Sequence, residues 1–269
     1  MKRKLLLLLL TTVLLLLLST GFAAAGSYID TSDVSKGLIH VTYQGNAADK
    51  VKLMITKDSL KYVYDVNAAG RQENFSLQLG NGSYKLSLLI QLSGDKYSPM
   101  ETVSVDVQLA DQNTVFLTSV QNIDWNASSA AIAKAVALTS STTDLKKKAQ
   151  ILWNYMAKNN TYDYKKAASV TAGYLPVIDT TLRDKKGICY DFSSLYAAML
   201  RSQGIPAKLI KGYAPKYAAG YHAWNEVYDA SQGKWITVDS TYDLQIIKTK
   251  PKLATMSKNS NEYKVEKFY

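Results

Sequence analysis

The sequence predicts an α+β fold built as two successive parts, and three observations carry that prediction. Short runs with apolar residues at every second position recur between residue 27 and about residue 120. From about residue 125 the apolar spacing changes to three and four, the period of a helix. The lone cysteine, Cys189, stands just after a glycine, where the clearest of these helical runs begins.

Residues 1–25 precede both parts and read as a leader. Met1-Lys2-Arg3-Lys4 is basic, Leu5 to Leu18 is apolar apart from Thr11-Thr12, and Ala23-Ala24-Ala25 supplies small residues. This order is that of a secretory signal peptide. The apolar run of about 14 residues is shorter than the roughly 20 that cross a bilayer. Cleavage after Ala25 is expected, giving a secreted or cell-surface chain of about 244 residues. An uncleaved N-terminal anchor is the competing reading. No later segment is apolar enough to cross a membrane. Loss of Lys2, Arg3 and Lys4 takes the formal net charge from +10 to +7. Outside a cell such a charge favours anionic surfaces, wall polymers among them. The lysines are scattered, with no basic block interleaved with aromatics, so nucleic acid is not an expected partner.

The first part, residues 27–120, reads as strands. Gly37 to Tyr43, Lys50 to Ile55 and Lys61 to Val66 are short alternating runs. Asn74 to Leu79 and Ser83 to Leu92 flank Gly80-Asn81-Gly82, which predicts a hairpin between them. Ser93-Gly94-Asp95-Lys96 marks a second turn before the strand Glu101 to Leu109. Nineteen tyrosines against five phenylalanines suit β surfaces with buried rings and wet hydroxyls. Several short strands in about 90 residues predict an immunoglobulin-like β-sandwich. No chemistry converges there, and His40 falls in a strand.

The second part, residues 125–269, is predicted to be one α+β unit. Ser128 to Leu138 is a helix former. Leu145, Ala149, Leu152 and Met156 mark a second helix, capped by Thr143 or Asp144. Phe192, Leu195, Tyr196 and Met199 fall at i, i+3, i+4 and i+7, an amphipathic helix. Gly204-Ile205-Pro206 ends it. Cys189 therefore sits at a helix N-terminus, where unpaired N–H groups and the helix dipole favour a thiolate. The same donors could hold an oxyanion, and Gly187 would leave room for a substrate. A small buried side chain at a helix start is the bland alternative.

A nucleophilic thiol needs a base. Outside the β part the chain has one histidine, His222, in YHAWNEVY. That run and KWITVDST read as a hairpin turning at Ala230-Ser231, which would place Asp239 directly opposite His222 on the same face. A slip of one residue would turn Asp239 away. Glu226 and Asp243 are rival acids. Cys189 as nucleophile, His222 as base and Asp239 as orienter make one arrangement. No cluster at metal-ligand spacing and no acidic calcium loop is present in the sequence, so neither metal nor cofactor is expected.

Three blocks, KGICYDFSSLYAAMLRSQGIPAKLIKGYA, YHAWNEVY and KWITVDSTYD, resemble the transglutaminase-like superfamily, particularly its secreted bacterial members. The resemblance implies a papain-like catalytic domain, with the cysteine opening a helix packed on an antiparallel sheet. It also implies a triad of Cys189, His222 and Asp239. An oxyanion partner upstream of the cysteine is implied too, with Tyr162 and Tyr164 as candidates. Ser-Thr follows Asp239 where relatives often have proline-threonine. The implied activity is acyl transfer or hydrolysis at peptide or protein amides, those of a cell wall included, through a cysteine thioester. Two alternatives stay open: a cysteine peptidase acting on wall peptides or surface proteins, and a non-catalytic surface-binding protein.

Overall fold

The computed structural model describes residues 27–218 and 220–269. The expected leader, residues 1–25, lies outside them. Seven strands come first: β1 (Ile29–Asp30), β2 (Leu38–Val41), β3 (Val51–Lys57), β4 (Leu60–Val66), β5 (Glu73–Ser76), β6 (Gly82–Ser93) and β7 (Lys96–Val107). They form two antiparallel sheets, ordered β1-β2-β5 and β4-β3-β6-β7. In β3 and β4 alternate residues are buried, as the period-2 pattern requires. Leu53, Ile55, Leu86 and Leu88 of one sheet share a core with Ile39, Val41 and Phe75 of the other. The Tyr64 and Phe75 rings meet edge to face across it at 4.9 Å.

The hairpin expected across Gly80-Asn81-Gly82 does not form. β5 pairs with β2, and β6 pairs with β3 and β7. Gly80 and Gly82 have φ of +84° and +123°, and this strongly turned backbone carries the chain from one sheet to the other. Alternation makes a strand ready for an antiparallel neighbour without naming it. Leu77 is fully buried and donates its N–H to the Gly37 carbonyl, so the chain past β5 stays with β2. The turn at residues 93–96 does join β6 to β7, and β7 starts at Lys96, earlier than expected.

The remaining elements are α1 (Ala130–Thr139), α2 (Leu145–Asn159), β8 (Thr161–Tyr162), α3 (Tyr164–Ser169), α4 (Ile178–Asp184), β9 (Lys186–Gly187), α5 (Cys189–Ser202), β10 (Ala207–Tyr213), β11 (Tyr221–Asp229), β12 (Lys234–Val238), α6 (Ser240–Ile246) and β13 (Lys264–Phe268). Asp144 caps α2, its carboxylate accepting the Lys147 N–H. The strands β12-β11-β10-β13 form an antiparallel sheet, and β8 pairs with β9 in parallel.

Helix α5 lies against β10 and β11 and is covered by α1, α2 and α4. Every residue from Tyr190 to Arg201 is buried, so the expected amphipathic helix is instead enveloped on all sides. Its polar residues are satisfied within the core. The Ser194 hydroxyl donates to the Asn122 carbonyl, and Asn225 Nδ2 on β11 donates to the Ser193 carbonyl. Arg201 anchors the far end, donating to the carbonyls of Thr118, Ala207 and Tyr269. These contacts fix the helix along its length, and with it the position of Cys189.

Candidate active site

Cys189 is the first residue of α5 and is partly buried. Asp191 in the first turn accepts the Ile188 N–H at 2.8 Å, tying down the backbone just ahead of the thiol. Its buried carboxylate also takes Lys166 Nζ at 2.6 Å and the Tyr174 hydroxyl. A Cβ at residue 187 would lie 2.9 Å from Asp191 Cβ and Oδ2. The space left by Gly187 therefore admits the Asp191 carboxylate, rather than a substrate as the sequence suggested.

His222 lies on β11, buried, paired with Gly212 of β10. The β11–β12 register pairs Asn225 with Val238 and Asp229 with Lys234. This is two residues away from the expected register, so Asp239 is not directly opposite His222. The turn is wider than expected. The Asp229 carboxylate accepts the N–H and hydroxyl of Ser231 and the side-chain amide of Gln232, and Gly233 has φ +63°. Asp239 falls just past β12 as the N-cap of α6, its Oδ1 accepting the Tyr242 N–H at 2.9 Å. Its Oδ2 lies 2.9 Å from His222 Nε2. A shift of two keeps side chains on their face, which is why the pair survives the misplaced turn.

Nε2 is engaged by Asp239, which leaves Nδ1 as the ring nitrogen open to another partner, and Cys189 is close enough to raise the proton affinity of His222. Burial lowers the proton affinity of His222, but the Asp239 charge and hydrogen bond and the neighbouring Cys189 outweigh it and push its pKa up to about 10. At neutral pH the ring is an imidazolium whose charge the buried Asp239 carboxylate balances.

Sequence reasoning missed the support behind this pair. The Tyr263 hydroxyl donates to Asp239 Oδ2 at 3.1 Å. His222 stacks on Trp224 with ring centroids 6.1 Å apart, and Trp224 packs on Tyr263 at 5.0 Å. A Cβ at residue 212 would meet the Lys264 carbonyl oxygen and the Trp224 ring. Glycine at 212, opposite the histidine, is a sequence-visible sign of that close approach.

The rival groups have other partners. Glu226 pairs with Lys208 at 3.0 Å. Asp243, whose carboxyl burial pushes up to about 6, accepts from Trp153 Nε1 at 2.8 Å and from Lys258 Nζ at 2.6 Å. His40 lies on β2 between Asn74 and Asp33. Tyr162 pairs with Gly187 and is half-buried. Burial first, then the charge of Cys189, push its hydroxyl up to about 12. The exposed Tyr164 donates its hydroxyl to Gln245 instead. Among the described residues no group of three or more His, Cys, Asp or Glu is placed to hold a metal ion.

Residues 132–240 match the family model of the transglutaminase-like superfamily. Protein YebA of Bacillus subtilis (strain 168), itself uncharacterized, is 39% identical over 72 residues, with 21% of this chain and 10% of that protein covered. The chain thus spans about a tenth of the length of this curated relative. Among solved structures, a candidate cysteine protease of Cytophaga hutchinsonii is similar with 18% identity and a TM-score of 0.46, covering 86% of this chain and 75% of its own. The periplasmic domain of TgpA from Pseudomonas aeruginosa is similar with 16% identity and a TM-score of 0.40, covering 82% of this chain and 94% of its own. The segment from residue 132 to residue 240, which contains Cys189, His222 and Asp239, is a transglutaminase-like domain.

Proposed function

We propose that the protein is an exported transglutaminase-like cysteine enzyme that transfers or hydrolyses peptide or protein amides, with Cys189, His222 and Asp239 as its triad. The observation that carries this reading is the buried His222 ring, held by Asp239 through Nε2 and raised in proton affinity by Cys189, which opens a helix.

The Cys189 thiolate attacks the amide carbonyl. The carbon–sulfur bond forms, and the carbonyl oxygen takes negative charge. The first-turn N–H groups of α5, which a helix leaves without intrahelical partners, would stabilise that charge. Tyr162 is the better-placed hydroxyl to share it, since Tyr164 is exposed and bonded elsewhere. The tetrahedral species collapses, the carbon–nitrogen bond breaks, and the imidazolium gives its Nδ1 proton to the departing amine. A second amine, or water, then attacks the thioester. Its proton passes to His222 and the thiolate leaves, restoring the starting pair. Asp239 keeps the ring oriented and its positive form stable throughout.

The leader at residues 1–25 supports export, and a charge of +7 after its removal supports work at anionic surfaces. The first seven strands support an immunoglobulin-like sandwich over residues 27–120. The chain crosses between sheets from β2 to β3, β4 to β5 and β5 to β6, as Greek-key connections require. The catalytic domain would then run over residues 125–269.

The test pairs a glutamine-containing peptide with a labelled primary amine. Incorporation of the amine supports transfer, and ammonia release or chain cleavage alone supports hydrolysis. Either should vanish in Cys189→Ala and His222→Ala. Iodoacetamide should label Cys189 rapidly well below pH 8. Labelling with an ordinary alkaline thiol profile would remove the thiolate–imidazolium pair and the mechanism with it.

A further inference from the structure

A cavity of about 170 Å3 lies where the first two sheets meet the transglutaminase-like domain. Its mainly polar wall includes Tyr64 of β4, Asn122, Tyr190 of α5, Lys211 of β10 and Tyr269. Two of these adjoin the triad. Tyr190 follows Cys189, and Lys211 precedes Gly212, the residue paired with His222.

Lys211 is the unusual member. Its strand neighbour Lys208 is paired with Glu226 at 3.0 Å. Lys211 has no carboxylate partner and no hydrogen-bond acceptor among the described residues. Its Nζ instead lies 3.6 Å from the centre of the Tyr190 ring and 5.2 Å from that of Tyr269. Ring faces stabilise a cation but leave ammonium donors unused. Burial accordingly pulls the Lys211 pKa down to about 8, against the opposing charge of Cys189.

The neighbouring hydroxyls point the same way. Tyr64 accepts from Gln78, and Tyr190 accepts from Asn122. Neither donates to an acceptor among the described residues, so each O–H is available. The one carboxylate on the wall, Asp65, is held by Lys52 at 2.6 Å through Oδ1. An ammonium without an acceptor and two hydroxyls free to donate therefore line one cavity.

We propose that this cavity is a subsite for a carboxylate of the acyl donor, with Lys211 as the specificity-determining residue and Tyr64 and Tyr190 as supporting donors. As a part of turnover it rests on the Cys189 reading; as a binding site it does not. It also gives the N-terminal sheets a role, since β4 supplies one wall of substrate recognition.

The experiment compares short glutamine peptides carrying glutamate or glutamine beside the reactive residue, on either side. A charge-assisted hydrogen bond predicts at least about a tenfold preference in kcat/KM for one glutamate peptide. Lys211→Met should bring that ratio close to one, and Lys211→Arg should restore part of it. A ratio near one in the wild type, or a preference that survives Lys211→Met, overturns the proposal. The same peptides are then titrated by calorimetry into Cys189→Ala and Cys189→Ala/Lys211→Met. A glutamate preference in affinity that disappears with Lys211 supports the subsite even if no turnover is found. Equal affinities for both peptides reject it even if the triad is active.

Discussion

Replacing Asp239 by Asn isolates the charge behind His222. The asparagine oxygen can still accept the Tyr242 N–H, so the cap on α6 survives. What disappears is the negative charge on an oxygen that now serves His222 at 2.9 Å and Tyr263 at 3.1 Å, all three groups being buried. A hydrogen bond to a charged group contributes about 1.5–3 kcal/mol. Applied to the imidazolium alone, that is a roughly 10- to 150-fold fall in its proton affinity. Second-order labelling of Cys189 by iodoacetamide should therefore slow on the alkaline side of neutrality, where the variant's ring loses its proton and the wild type's does not. Linkage gives a second readout. His222 has a pKa raised from 6.5 to about 10 in the folded protein. Its contribution to stability is therefore complete below pH 6.5 and lost as pH rises through about 10. The urea midpoint of the wild type should fall across that window, and that of Asp239→Asn should fall less. Labelling within threefold of the wild type, together with parallel midpoint curves, would refute the assignment of Asp239 as the group that charges His222.

Tyr162→Phe should lower kcat by about 10- to 1,000-fold with little change in KM if its hydroxyl meets the oxyanion, while Tyr164→Phe should do neither; steady-state kinetics on one peptide decides this. Lys258→Met leaves the buried Asp243 carboxylate without its cation and should destabilise the fold by about 3–5 kcal/mol, with Asp243→Asn/Lys258→Met recovering much of the loss in urea unfolding. Gly212→Ala forces a methyl group against the Lys264 carbonyl and Trp224; it should displace β13 and cost at least about 1–3 kcal/mol, measured by the same unfolding curves and by faster hydrogen exchange at residues 264–268. Asp144→Ala should cost about 1 kcal/mol through loss of the α2 cap, and Asp144→Asn should cost much less.

The features legible in the sequence were those that local physics determines. Strand runs, the α5 start at Cys189 and its stop near Gly204 follow from periodicity and backbone freedom, and the fold contains them. Strand partnership did not follow, because an alternating run such as Asn74 to Leu79 fits an antiparallel neighbour on any side. The buried Leu77 and its bond to Gly37 chose β2, and that choice depends on tertiary packing over about 40 residues of chain. The candidate site shows the same division. The His222–Asp239 pairing rested on a turn centre that was wrong by one position, which moves the register by two. An even shift preserves facing, so the carboxylate stayed within reach although it had left the strand for a helix cap. Tyr263 and Lys211 had no such route to discovery. Tyr263 sits 24 residues beyond Asp239, and Lys211 resembles any strand lysine until the absence of a carboxylate around it is known. Groups that tune a site through contacts far along the chain leave no periodic trace, whereas a nucleophile at a helix start and a glycine opposite a histidine do. For this chain that asymmetry leaves Cys189, His222 and Asp239 legible in the sequence, and Tyr263 and Lys211 legible only in the fold.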